Sequence, residues 1–322
     1  MQTIGVLTSG GDAPGMNACI RAVVRAALAH NLRTIGIRRG YQGLVDCDAE
    51  YMTSRSVGGV ARWGGTILQT ARSSEFMTLE GFSKALQTIK QFEIDGLVII
   101  GGDGSLRGAK ELHDAGVKCV GIPASIDNDI AYTEMAIGVD TALNTILESI
   151  DRIKDTASSH ERAFIIEVMG RHSGYLAYAA GVAGGAEMVI GPEKPTSIRE
   201  ILDEIDQAHK RGKPHFIAVV AEGATPKARE ICDALNSEEN PGYEGRLTVL
   251  GHVQRGGSPT VYDRLLATKL GAYAVQALVE GESGVMVGVN AGACTLTPLE
   301  KVTSTTRRVE QELIRLQDTI AL

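Results

Sequence analysis

Short apolar runs punctuate the whole chain, and they constrain its fold more than any other feature. Thr3–Leu7, Thr34–Ile37, Leu97–Ile100, Val117–Ile122, Phe164–Val168, Glu187–Ile190, Phe216–Ala221, Leu247–Leu250 and Val285–Val289 are rich in Val and Ile and mostly continuous rather than alternating. Such runs fit strands buried on both faces. The segments between them read as helices: Met16, Cys19, Ile20, Val23, Val24, Ala27 and Leu28 recur at helical spacing and make one apolar stripe. Strand and helix in alternation predict an α/β fold with mainly parallel sheets and helices on both sides. A chain of 322 residues has room for two such domains. No linker-like stretch and no fixed-period repeat separates them, so the chain is expected to cross between domains more than once.

Composition narrows the partners. Lys and Arg number 32 against 39 Asp and Glu, a net charge of −7, the wrong sign for a general binder of nucleic acid or anionic membrane. An anionic ligand must then be met locally, by arginine forks and backbone N–H groups. Aromatics are only 4% of residues, too few for base-stacking platforms, whereas 38 glycines allow many tight turns and close backbone approaches. No apolar stretch approaches the roughly 18 residues of a membrane span, and the N-terminus lacks a signal-peptide pattern. Five widely spaced cysteines without a C-x-x-C pair read as buried free thiols in a reducing cytosol, and a cytoplasmic location is expected.

Three turns at strand ends carry candidate chemistry. Thr8-Ser9-Gly10-Gly11-Asp12-Ala13-Pro14-Gly15-Met16-Asn17 leads from the first strand into the first helix, where free N–H groups suit an anion. Gly101-Gly102-Asp103-Gly104-Ser105, with Gly108 one helical turn on, repeats the pattern. Neither turn is G-x-x-x-x-G-K-[ST] or G-x-G-x-x-G, which disfavours a simple P-loop enzyme and a dinucleotide dehydrogenase. Asp103 can hold Mg²⁺ against phosphate oxygens, or merely cap a helix. The third turn, Pro123-Ala124-Ser125-Ile126-Asp127-Asn128-Asp129, places two carboxylates two residues apart, as a general base or metal contact would need, or as an Asx-turn network. Arg72, Arg162, Arg171, Arg246 and Arg255 stand near turns, and guanidinium forks match phosphate geometry. Arg21 and Arg25 lie four apart on the polar face of the first helix, where like charges repel mildly unless an anion sits between them.

Together, Gly10–Asn17, Gly101–Ser105, Ile126–Ile130, Val168–Arg171 and Gly251–Ser258 resemble, in order and spacing over nearly the whole chain, the bacterial ATP-dependent 6-phosphofructokinase family. The resemblance implies two Rossmann-like three-layer α/β/α domains: 1–138 with 251–301 binding ATP, and 139–250 with 302–322 binding the sugar phosphate. It implies an ATP site of Gly11, Arg72, Ser73, Gly102, Asp103, Gly104, Ser105 and Gly108, with Mg²⁺ at Asp103. Asp127 would take the proton from the sugar 1-hydroxyl, with Ser125, Asp129 and Arg171 positioning the reacting groups. Fructose 6-phosphate would meet Ser125, Ile126, Asp127, Met169, Gly170, Arg171, Glu222, His252, Val253, Gln254 and Arg255. Arg162 and Arg246 would reach its 6-phosphate from the adjacent subunit of a homotetramer. ADP or phosphoenolpyruvate would bind between subunits at Arg21, Arg25, Lys154, Gly185, Glu187, Arg211 and Lys213.

This sequence departs from the family pattern in places. Ala124 replaces a usual Gly, Ser125 a Thr, Ser73-Ser74 a bulkier pair, Lys154 and Ser54 each an Arg, and Gly59 an Asp. The changes at Ser54 and Gly59 imply altered effector strength or selectivity. Two other readings stand beside the ATP-dependent kinase. A pyrophosphate-dependent enzyme typically carries Asp in place of Gly104 and Lys in place of Ala124. A non-catalytic sugar-phosphate sensor would have lost its carboxylates, but Asp103, Asp127 and Asp129 are all present.

Overall fold

The apolar runs form parallel strands, and the structure, a computed structural model, describes residues 1–160, 162–237 and 243–320. In chain order the strands are β1 (Thr3–Ser9), β2 (Arg33–Ile37), β3 (Ala49–Met52), β4 (Gly96–Gly101), β5 (Cys119–Pro123), β6 (Arg162–Val168), β7 (Met188–Ile190), β8 (Phe216–Ala221), β9 (Glu244–Val249), β10 (Val285–Asn290) and β11 (Ala293–Pro298). The helices are α1 (Met16–Ala29), α2 (Tyr41–Asp46), α3 (Leu79–Gln91), α4 (Asp103–Asp114), α5 (Val139–His160), α6 (Tyr175–Ala183), α7 (Ile198–Lys210), α8 (Ala228–Leu235), α9 (Val261–Val279), α10 (Leu299–Ser304) and α11 (Gln311–Ile320).

The chain divides into two compact units. The first holds Met1–Ile126, Ile130–Thr141 and Arg255–Arg307; the second holds Asp127–Asp129, Ala142–Gln254 and Arg308–Leu322. The chain therefore passes from one unit to the other five times. The main boundaries that the resemblance implies, at 138, 250 and 301, fall a few residues before those of the two units.

The first unit is built on a seven-stranded sheet in the order β11-β10-β5-β4-β1-β2-β3. The strands from β10 to β2 pair in parallel, and β11 and β3 pair antiparallel at the two edges. Every residue of β1, β4 and β5 is buried, as expected of unbroken apolar runs. The predicted stripe of α1 buries Met16, Cys19, Ile20, Val23, Val24 and Ala27. Leu28 departs from it and is exposed, since the stripe has rotated off the core by the last turn. α1 packs against α9 at close range: a Cβ on Gly271 would lie 2.8 Å from the Cys19 carbonyl oxygen. Each large apolar side chain so buried stabilises the unit by roughly 1.5–3 kcal/mol before entropy is counted.

The second unit carries a four-stranded, fully parallel sheet in the order β7-β8-β6-β9. β8 is buried throughout, whereas β9, an edge strand, reads Glu-Gly-Arg-Leu-Thr-Val and is largely exposed or half-buried. α7 begins with a reciprocal cap between Ser197 and Glu200. Val309 and Ile314, at the start of the last helical segment, pack on Tyr178 of α6.

No disulfide joins the cysteines. Cys19, Cys119 and Cys232 are buried, but Cys47 is exposed and Cys294 half-buried, so burial holds for only three of the five thiols. Among the described residues no helix is long and apolar enough to cross a membrane.

Candidate active site

In the first unit, the site residues are mainly backbone. β1 gives way to the turn at Gly10 (φ +84°), and the turn enters α1 through Gly15 (φ +109°), both in the left-handed region that favours glycine. Gly11 lies beneath the Arg255 guanidinium: a Cβ there would meet Nη1 at 2.2 Å. Arg255 Nη1 donates to the Asp12 carbonyl at 3.2 Å, which fixes the guanidinium over the turn. The buried Asn17 holds the neighbouring loop, donating to the carbonyls of Trp63 and Gly64 and accepting from Ile67 N–H.

The second turn sits directly beside the first. A Cβ on Gly101 would fall 2.4 Å from both the Ser9 carbonyl oxygen and Ser105 Oγ, so only glycine allows β4, β1 and α4 to meet there. Gly102 precedes α4 with extended backbone and supplies no side-chain cap. The first N–H groups of this 12-residue helix therefore have no side-chain partner at its N-cap. Asp103 opens α4 and pairs with Arg107 at 2.9 Å, with both side chains about half exposed. Gly104 opens on space, with nothing within 4 Å of a Cβ built on it. Gly108 is turned the other way, against the Tyr41 ring, whose hydroxyl donates to the Ser105 carbonyl. Tyr41 in turn stacks on Phe76, and Ser73 Oγ donates to Gln42 and accepts from Phe76 N–H. Arg72 is exposed, Ser125 is half-buried with its N–H donating to the Ile137 carbonyl, and Ile126 is buried.

In the second unit, the candidate groups are charged side chains. Asp127 is only 3% exposed, and its Oδ2 lies 3.8 Å from Arg171 Nε, whose guanidinium is open to solvent. Asp129 is half-buried, and Asn128 between them turns with φ +48°. Two interlocked loops hold Arg171. Gly170 (φ +142°) lies against the Ser173 carbonyl, Arg171 N–H donates to Glu222 Oε1 at 2.7 Å, and a Cβ on Gly223 would fall 1.9 Å from the Arg171 carbonyl oxygen. Gln254 is fully buried. Its Oε1 accepts from Met169 N–H at 3.2 Å and its Nε2 donates to the Gly251 carbonyl, so its side chain ties the 251–254 turn to the end of β6. His252 and Val253, on the same turn, are exposed.

Arg162 and Arg246 come together on adjacent strands. Arg162 stands opposite Glu244 in the β6–β9 register, and its Nε donates to Glu244 Oε2 at 2.9 Å. Arg246 meets the other oxygen of the same carboxylate. Both arginines stand out in the sequence and Glu244 does not; the period-two spacing of Glu244-Gly245-Arg246 on a strand is the available signal.

The candidate effector residues divide between the units. Arg21, half-buried, and Arg25, exposed, lie on α1 in the first unit. In the second, Lys154 Nζ donates to the carbonyls of Gly184 and Gly185, Glu187 pairs with Lys213 at 3.6 Å, and Arg211 pairs with Glu204 at 3.1 Å.

Asp263, fully buried in α9, is a further structural group that no sequence motif marks. Its Oδ1 accepts from Gly138 N–H at 2.8 Å, and its Oδ2 accepts from Thr141 N–H at 2.8 Å and Thr141 Oγ1 at 2.6 Å. It thus anchors the start of α5, which follows the 123–129 turn in the chain. Burial pushes its carboxyl above the ordinary range, against the pull of these donors.

The described residues contain no cluster of three His, Cys, Asp or Glu side chains placed to hold a metal. Asp103 alone fits a mode in which one carboxylate and the ligand's phosphate oxygens share Mg²⁺, since an exposed i,i+4 pair with Arg107 is weak enough to break.

Comparison with known proteins adds full-length likeness. Residues 3–278 match the phosphofructokinase family. The chain is 50% identical over 322 residues to the ATP-dependent 6-phosphofructokinase of Shouchella clausii, covering 100% of both chains. It is 52% identical over 324 residues to ATP-dependent 6-phosphofructokinase 1 of Thermus thermophilus, again covering 100% of both. The solved phosphofructokinase of Saccharomyces cerevisiae superposes with a TM-score of 0.89 at 36% identity; all of this chain is covered, and it spans 48% of the yeast chain.

Proposed function

The chain belongs to the phosphofructokinase family, and from that membership we propose that it phosphorylates D-fructose 6-phosphate at the 1-hydroxyl with ATP. The products are fructose 1,6-bisphosphate and ADP, in the committed step of glycolysis, in the cytoplasm. What supports the chemistry most directly is the buried Asp127 carboxylate beside the solvent-facing Arg171 guanidinium. Phosphoryl transfer asks a protein for in-line positioning, charge neutralisation and a base for the attacking hydroxyl. Asp127 takes the proton of the sugar hydroxyl, Arg171 meets the charge of the transferring group, and Ser125 and Asp129 position the reacting groups.

The first unit supplies the nucleotide groups. Gly102 and Gly104 would leave room for phosphates, Gly11 would present its turn beside the Arg255 guanidinium, Ser105 and the start of α4 would offer N–H groups, and Arg72 and Ser73 would complete the nucleotide site. Bound Mg²⁺, held by Asp103, would neutralise charge across those phosphates. The second unit supplies Met169, Gly170, Glu222 and His252 to the sugar, and Arg162 and Arg246 to the 6-phosphate of a neighbouring subunit in a homotetramer. Gln254 acts by holding the 251–254 turn. Anionic effectors, ADP or phosphoenolpyruvate, bind between subunits through the α1 arginines and the Lys154–Lys213 group.

ATP is favoured over pyrophosphate because Gly104 opens on free space, where an Asp would push against the nucleotide α-phosphate. An assay of fructose 6-phosphate phosphorylation with each donor tests this. ATP should support turnover with release of ADP; turnover with pyrophosphate alone would overturn the assignment.

A further inference from the structure

Arg162, Glu244 and Arg246 share one face of the exposed edge of the second sheet. β6 and β9 are parallel neighbours with Arg162 opposite Glu244, and Arg246 follows Glu244 by two residues. One carboxylate engages both guanidinium groups, with Oε2 on Arg162 and Oε1 on Arg246. A carboxylate bridging two forks occupies the position that two oxygens of a phosphate would take.

We propose that Glu244 is a built-in competitor for the phosphate of the sugar substrate, filling the two arginine forks until the dianion displaces it. The proposal rests on the reading above that Arg162 and Arg246 bind that phosphate. With Glu244 in place the trio carries one net positive charge; without its charge, two positive charges face the incoming dianion. The carboxylate is half exposed, as is Arg246, so these are pairs that water and salt weaken and that a doubly charged ligand can break. Glu244 is thus a positioning residue that sets the threshold for substrate and takes no part in phosphoryl transfer.

The test is steady-state kinetics of Glu244→Gln, Glu244→Asp and Arg162→Ala in the full-length enzyme. Glu244→Gln should lower KM for fructose 6-phosphate about two- to tenfold, the range of one or two exposed ion pairs, with the change falling on KM and not on kcat. Inhibition by inorganic phosphate competing with the sugar should tighten in parallel. Glu244→Asp, which keeps the charge, should restore a KM close to that of the parent. A raised or unchanged KM in Glu244→Gln overturns the proposal, because a carboxylate that only organises the arginines would weaken binding when lost. A KM lowered equally by Glu244→Asp overturns it too. Arg162→Ala separates the premise from the inference. If it leaves KM for fructose 6-phosphate unchanged, the assignment of the arginines falls and the competitor with it; if it raises KM while Glu244→Gln does not lower it, only the competitor falls.

Discussion

The first unit offers its candidate ligand groups mainly as backbone, whereas the second offers charged side chains already engaged with one another. At Gly101 the packed turn leaves no place for a side chain, at Gly11 the Arg255 guanidinium fills that place, and a Cβ on Gly102 or Gly104 would meet nothing closer than 3.8 Å. At Asp127–Arg171 and Arg162–Glu244–Arg246 every guanidinium faces a carboxylate. The difference shows two ways to receive phosphate. Backbone N–H groups carry partial charge, need no counter-ion in the empty state and cost less to desolvate than a full charge. Full charges bind more strongly but must be neutralised while they wait.

Substitutions can break this contrast at its strongest point first. Asp127→Asn should cut kcat by about 10²–10⁴-fold with a smaller change in KM for fructose 6-phosphate, the signature of a lost general base; unimpaired turnover would remove Asp127 from the chemistry. Next, Arg162→Ala should raise KM for the sugar phosphate by about ten- to a hundredfold, as one charge-assisted hydrogen bond warrants, and leave KM for ATP alone.

Asp263→Asn tests the framework beneath the backbone site. An amide cannot accept from Gly138, Thr141 N–H and Thr141 Oγ1 together, so thermal unfolding should show a loss of about 1–3 kcal/mol. The pH dependence should change as well. A carboxyl whose pKa rises on folding binds its proton more tightly in the native state. Its contribution is therefore full below the unfolded carboxylate range, about pH 4, and is lost as pH rises through the native value. In Asp263→Asn that part of the decline should vanish from a series of melting curves. The smallest effect belongs to Gly104→Ala. With open space around it and a place in α4, alanine should stabilise the fold by up to about 1 kcal/mol, yet raise KM for ATP if phosphate approaches the backbone there. An unchanged KM for ATP would show that the turn is not a phosphate cradle.

Much of this was legible in the chain. The buried parallel strands announce themselves because both faces are apolar, and the glycine turns because they end those strands. The edges were not legible. β3 and β11 lack an apolar run, being half exposed and antiparallel, and only the last residues of β9 were read as strand. Glu244 was invisible for the same reason, since a surface glutamate acquires meaning only through the register that sets it opposite Arg162. Asp263 was hidden differently. It sits three residues after Thr260 at the start of a helix, where an acid reads as an ordinary first-turn residue, but its partners lie more than 120 positions away. The resemblance implies Gln254 at the sugar, and the buried amide that ties its turn to Met169 and Gly251 has no signal in the sequence.

The five passages of the chain between units bear on how the protein is made. Residues 255–307 complete the first unit and 308–320, with α11 resting on α6, complete the second. During synthesis neither half can therefore close on its own early segment. The seven-stranded sheet waits for β10, and α6 keeps Tyr178 uncovered until α11 has left the ribosome.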